Sequence, residues 1–307
     1  MADQSKLEPI VRLLYKAYRN RNSPVLPWPL ASYPLRGVVH LMIDGWMSSG
    51  GTEESEKQSQ HLAVMHVQQA RDTDANFPVA VRAFSFGDLG MTYAGYDTCD
   101  DLITLIEKLV GILDEPAPER RWLVTAYSLG AVIAALAIGQ LSQGSREMGR
   151  RIPAFTLLHP ALHGAPELIG AVMDEKSPFK GEEPLLLRQL GGGGQEWFEQ
   201  AQKSIGWVVD SGVGVTVIHS RHDTVAPFKT LGDSRVFEFH TPDDLLEDRP
   251  GRSPDDTYAH FRVRGNRFYH RLIYAMAKPL VSMEREWVET MPSSSNGAAT
   301  MSDGDSS

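Results

Sequence analysis

The sequence predicts an α/β fold, a doubly wound, mostly parallel sheet of about six strands with helices on both faces and a small lid-like insertion. Two observations carry this reading. Short apolar runs alternate with stretches of helical periodicity, the rhythm of strand, crossover helix and next strand. Most of those runs are also too apolar for a strand with one face in water, as expected where helices cover both sides of a parallel sheet.

The elements follow in order. Leu7, Ile10, Val11 and Leu14 recur at helical spacing among Lys6, Arg12, Lys16 and Arg19. Such a helix packs on its own domain or lies on a membrane surface, and the first is expected. A Pro-rich connector from Ser23 to Pro34 completes an N-terminal region, residues 1–36. Strands are expected at Val38 to Ile43, Val79 to Phe84, Trp122 to Ala126, Ala154 to Leu158, Val213 to Ile218 and Val236 to Phe239. Helices are expected at Glu53 to Ala70, Asp97 to Leu113 and Leu129 to Leu141. Together these make one domain over residues 37–290.

Residues 164–212 break the rhythm. Leu185, Leu186, Leu187, Leu190, Trp197 and Phe198 surround four glycines, Gly191 to Gly194, which are not expected to hold a regular element. A lid hinged on those glycines and a pair of helices packed on the sheet are equally good readings. The tail, residues 291–307, is Ser, Gly, Ala and Asp with hardly any large apolar group, so disorder is expected there.

Composition narrows the function. The 307 residues are 42% hydrophobic and 22% charged, as in an ordinary globular protein with a sizeable core. The formal net charge of -9 and pI near 5.6 offer no attraction to nucleic acid or anionic lipid. One cysteine, Cys99, allows no intrachain disulfide. Charged residues interrupt any secretory signal at the start, and no apolar stretch is long enough to span a bilayer, so cytoplasmic residence is the default expectation.

The chemistry concentrates between Arg121 and Leu136. An apolar strand ends at Ala126, Tyr127, Ser128, Leu129 and Gly130 follow, and a helix apolar nearly all round begins. A serine at that junction can stand on a tight turn if its neighbours two before and two after are small, as Ala126 and Gly130 are. The helix then aims its N-terminal amides at the point where an oxyanion would form. The alternative is a serine that merely caps a helix.

This stretch resembles the nucleophile elbow, G-x-S-x-G, of the α/β-hydrolase superfamily, with Ala126 in place of the first glycine as in small bacterial lipases. The resemblance covers about Gly37 to Lys278. It implies Ser128 as nucleophile and a chain order of Ser, Asp, His. After the fifth strand the run His219 to Pro227 resembles the family's acid turn, which points to Asp223; otherwise Asp223 caps a helix starting near Pro227. The position after the preceding strand, where another branch carries the acid, reads His159, Pro160, Ala161 and offers no carboxylate. Three histidines follow the last strand, His240, His260 and His270, and His260 best fits the family's loop between last strand and last helix.

The resemblance also implies an oxyanion hole from the backbone amides of Leu129 and Trp46, supported by Gly45. The loop from Asp44 to Gly50 looks like the family's His-Gly-aromatic loop with Asp44 replacing histidine, so the Asp44 carboxylate is expected to turn away from the hole. Leu158 to Pro166 is loosely similar to a Pro-x-x-Gly loop of lipase-like members. The pairs His61/His66 and His219/His222 lack further ligands at a recognised spacing, so no metal is expected.

The expectation is a cofactor-free serine hydrolase of a carboxylic ester, esterase-like or lipase-like, acting on a small acyl ester or thioester, with no nucleic-acid partner and no transmembrane segment. A thioesterase or acyltransferase would use the same residues. A rival from another class is a non-catalytic binding protein on the same fold, which Asp44 and the choice of histidine keep open. Serine rather than aspartate at the elbow argues against epoxide hydrolase or dehalogenase chemistry.

Overall fold

The computed structural model describes residues 37–43, 45, 79–84, 102–115, 120–181, 185–191, 194–241, 260 and 272–275, with Glu8, Val11, Arg12 and Tyr15. The expected helix Glu53 to Ala70, residues 97–101 with Cys99, and the tail lie outside the described residues.

Six strands form one all-parallel sheet: β1 (Gly37–Ile43), β2 (Val79–Phe84), β3 (Arg120–Tyr127), β4 (Ala154–Leu158), β5 (Gly214–His219) and β6 (Phe237–His240). Their order is β2-β1-β3-β4-β5-β6. The chain leaves β1 toward one edge and, after β2, returns past β1 to build β3 to β6 toward the other. That reversal opens a crevice outside the carboxyl ends of β1 and β3, where ligands of open α/β sheets bind.

The helices are α1 (Leu102–Leu113), α2 (Leu129–Ser142), α3 (Met148–Arg151), α4 (Pro166–Met173), α5 (Leu185–Gly191) and α6 (Gln195–Asp210). Side chains alternate across the strands. Val39, Leu41 and Ile43, then Trp122, Val124 and Ala126, Phe155 and Leu157, and Val215 and Val217 join one core with α1, α2 and α6. Tyr127, Leu158 and Ile218 point the other way and pack with Ile273 and Leu272 of the helical residues 272–275.

Helix α2 lies between α1 and α6, and every residue from Leu129 to Gly139 is buried. This is why its sequence shows no polar face. Its crossing with α6 is close: a Cβ on Gly139 would stand 2.5 Å from the Ser204 Cβ. Glycine here supplies space between backbones.

Within 164–212, α6 packs on the sheet as part of the core layer, with Phe198, Ala201, Ile205 and Val208 buried, and joins β4 to β5 as a crossover helix, the second of the two readings of this segment. Gly191 ends a helix instead of breaking one, and Gly194 caps α6 where a Cβ would fall 2.1 Å from the Leu190 carbonyl oxygen. These two glycines therefore answer to helix geometry and to space. Strand β3 starts earlier than expected, where Arg120 and Arg121 pair with Gly37 and Val38 of β1; Arg120 is buried, pairs with Glu115 and lies 5.4 Å from the Trp122 ring centre. No helix begins near Pro227. At the N-terminus, Val11 is buried and the Tyr15 ring meets Phe179 edge-on at 5.0 Å, so these helical residues pack on their own domain. Among the described residues no helix is long and apolar enough to cross a membrane.

Candidate active site

Ser128 is the single residue between β3 and α2, at φ 54 and ψ -123. For a residue with a side chain that backbone is strained by about 1–3 kcal/mol, and it persists because its surroundings over-determine it. The Ser128 amide donates to the Leu158 carbonyl at 3.1 Å, and its carbonyl accepts from the amides of Ala131 and Ala161, each at 3.1 Å. Ala126 and Gly130 are fully buried on either side, which gives the size requirement its reason.

Asp223 lies in the loop after β5, 4% exposed. One carboxylate oxygen, Oδ1, accepts from the amides of Val225 at 3.0 Å and Ala226 at 2.9 Å, a turn built on the side chain with no helix to cap. The other, Oδ2, accepts from Nδ1 of His260 at 2.6 Å and from Nδ1 of His159 at 2.9 Å. Burial pushes its carboxyl up, but the His260 ring and the hydrogen bonds from both histidines outweigh it and hold the group well below the usual carboxylate range. Asp223 therefore stays ionised at neutral pH.

A carboxylate only accepts, so each histidine carries a proton on Nδ1. In neutral His260 this leaves Nε2 bare, and the Ser128 hydroxyl, 2.8 Å away, donates to it. The result is a continuous hydrogen-bonded chain, Ser128 to His260 to Asp223. Tyr127, the last residue of β3, anchors it from below: its hydroxyl donates to the His260 carbonyl at 2.6 Å, and the two rings lie 5.1 Å apart.

The sequence expected Ser128, Asp223 and His260 together, and they meet. Leu129 is the first residue of α2, so its amide belongs to the set that a helix N-terminus leaves without an intrahelical partner. Gly45 is buried beyond the end of β1, while Asp44, Trp46 and His270 lie outside the described residues. His240 ends β6 and its ring meets that of His219 at a tilt, 4.1 Å between centres, and it is His260 that bonds Ser128.

Two further residues of the site carry no local signal strong enough to assign them. Tyr127 stands in the elbow at a position with no size requirement. His159 offers no carboxylate, but its place directly after a parallel strand is where such sheets put functional groups. His159 is fully buried, at φ 41, with its amide donating to the Ile218 carbonyl at 2.7 Å.

Among the described residues His159, Asp223 and His260 are the one group whose donor atoms, all within 4.8 Å, could surround a metal ion. Both Nδ1 atoms are engaged as N–H donors to one carboxylate oxygen, which a metal would require them to give up.

No protein-family model and no curated protein matches the chain. Solved structures do. Est1E from Butyrivibrio proteoclasticus is 13% identical, with 82% of this chain and 91% of that chain covered and a TM-score of 0.44. A structure described with LipS and LipT, two metagenome-derived lipolytic enzymes, is 16% identical over 67% of this chain and 84% of that one, with a TM-score of 0.44. A metagenomic carboxyl esterase is 12% identical over 92% and 91%, with a TM-score of 0.39. At such identities and scores the likeness assigns no residue a role.

Proposed function

We propose that the chain is a serine hydrolase that cleaves a carboxylic ester through an acyl-enzyme, with Ser128 as nucleophile, His260 as base and Asp223 as the group that orients it. The observation that carries this reading is the hydrogen-bonded chain from Ser128 Oγ through His260 to Asp223 at 2.8 and 2.6 Å.

His260 Nε2 takes the Ser128 proton as Oγ attacks the acyl carbonyl. The resulting imidazolium is stabilised by the ionised Asp223, whose second oxygen stays fixed by the Val225 and Ala226 amides. The oxyanion forms at the N-terminus of α2, against the Leu129 amide, with the Trp46 amide as the second donor expected from the sequence. The leaving alcohol departs with the proton from His260, and water repeats the cycle to release the acid. A thiol leaving group would pass through the same steps.

A fluorophosphonate probe and a chain-length series of nitrophenyl esters test this. Wild type is expected to label and turn over, and Ser128→Ala and His260→Ala to lose at least about a thousandfold in kcat. His240→Ala and His270→Ala are expected to keep labelling. A folded wild type inert to probe and esters would leave a binding protein on this fold as the reading.

A further inference from the structure

Asp223 Oδ2 serves two imidazoles. His260 also bonds the serine, while His159 meets the same oxygen, its ring 6.1 Å from that of His260. A purely structural filler at the end of β4 needs neither a ring nitrogen aimed at a carboxylate nor a left-handed backbone. At φ 41 the backbone is in a region that residues other than glycine enter uncommonly, Asn, Asp and His more often than the rest, and the hydrogen bond from the His159 amide to the Ile218 carbonyl holds it there.

We propose that His159 is a positioning residue: by donating Nδ1–H to Asp223 Oδ2 it fixes the carboxylate and shares the oxygen on which His260 depends, and so sets the pH at which His260 gains its proton. This rests on the serine hydrolase reading for its catalytic meaning. The physical cause is simple. A hydrogen bond donated to Oδ2 stabilises the carboxylate's negative charge and leaves less of it for the His260 imidazolium. Without the donor, Asp223 favours imidazolium more strongly, and His260 becomes a base only at higher pH.

The titratable groups around His159 among the described residues are Asp223, His260 and, from the end of β5, His219. His219 is held to about 4 by burial and by His240, so it stays neutral over the range concerned. Burial likewise lowers His159 itself, against the opposing pull of Asp223, which keeps it a neutral donor.

The test uses the full chain with His159→Phe, which keeps the ring and removes the donor, and His159→Asn, whose amide nitrogen lies near the Nδ1 position and which tolerates positive φ. The acid limb of kcat/KM for a nitrophenyl ester is read alongside the NMR titration of the His260 ring. In His159→Phe both are expected to move up by about half to one pH unit, and His159→Asn to return them to wild type. If His159→Phe does not fold, His159→Gln, with its amide nitrogen nearer the Nε2 position, takes its place and is expected to shift both in the same direction. A folded donor-less variant with wild-type limb and titration overturns the proposal, as does His159→Asn behaving like His159→Phe. If wild type neither labels nor hydrolyses but the His260 titration still moves, the hydrolase reading falls and the coupling of His159 to His260 stands.

Discussion

The two faces of the sheet are built from different chemistry. On the face that carries α1, α2 and α6 the contacts are almost wholly apolar, from Val39 and Trp122 to Phe155 and Val217. On the other, alternate residues of the same strands carry polar groups: His40 of β1 bonds the Tyr274 hydroxyl at 2.6 Å and Thr125 of β3 at 2.8 Å, and Tyr127 bonds the His260 carbonyl. Apolar packing is strong but permissive about small displacements, whereas a hydrogen bond fixes a distance and a direction. The first face supplies stability and holds α2, the helix that Ser128 immediately precedes. The second face registers His260 against that serine.

Substitutions on each face break or sharpen this comparison. The largest effect is expected on the apolar face. Gly139→Leu drives a side chain into Ser204 at the α2–α6 crossing and is expected to lower stability by about 3 kcal/mol or more, while the molecules still folded keep their kcat. Urea unfolding with an active-site titration measures both, and loss of kcat with unchanged stability would reverse the assignment of roles.

Next in size is a pH effect on the same side. His219 has the parity of Val215 and Val217, is 3% exposed, and packs against Phe228 at 4.4 Å and His240. Its folded pKa, lowered to about 4, lies below the unfolded value of 6.5, so the unfolded chain binds the proton first. Stability is therefore whole above 6.5 and declines as pH falls from there toward 4, by up to about 1.4 kcal/mol per unit. Melting temperature against pH should be flatter for His219→Leu than for wild type. Equal slopes would remove this histidine from the acid response.

The smallest effect on stability belongs to the polar face. Tyr127→Phe keeps the ring and loses one hydrogen bond, about 1 kcal/mol, yet it frees the His260 carbonyl and is expected to reduce kcat about tenfold. A melting point that falls while kcat holds would show that the bond only stabilises.

How much of this was legible follows the same division. The strands announce themselves, because parallel strands covered by helices must be apolar runs, and β2 and β4 have the bounds expected of them. Ser128 and Asp223 were legible because an elbow needs small flanking residues and because strand ends carry function. The polar face was not. Tyr127 to His260 spans 133 residues and His40 to Tyr274 spans 234, and no local pattern encodes such pairs. His159 was hidden by a different cause: the family pattern offers an acid at that position, whereas the structure puts there a second donor to the acid that follows the neighbouring strand. The role of α6 was obscured because its glycine-rich approach looks like a hinge when only conformational freedom is weighed.

The burial of α2 on every side also has a meaning in time. Amide hydrogens exchange with water only when the structure around them opens, and a helix with no solvent-facing stripe has no shallow route to opening. Among the described residues the amides from Ala131 to Ile138 are therefore expected to be in the slowest class, exchanging only on global unfolding. Ser128, one residue before that helix, is thereby tied to a segment expected to open late.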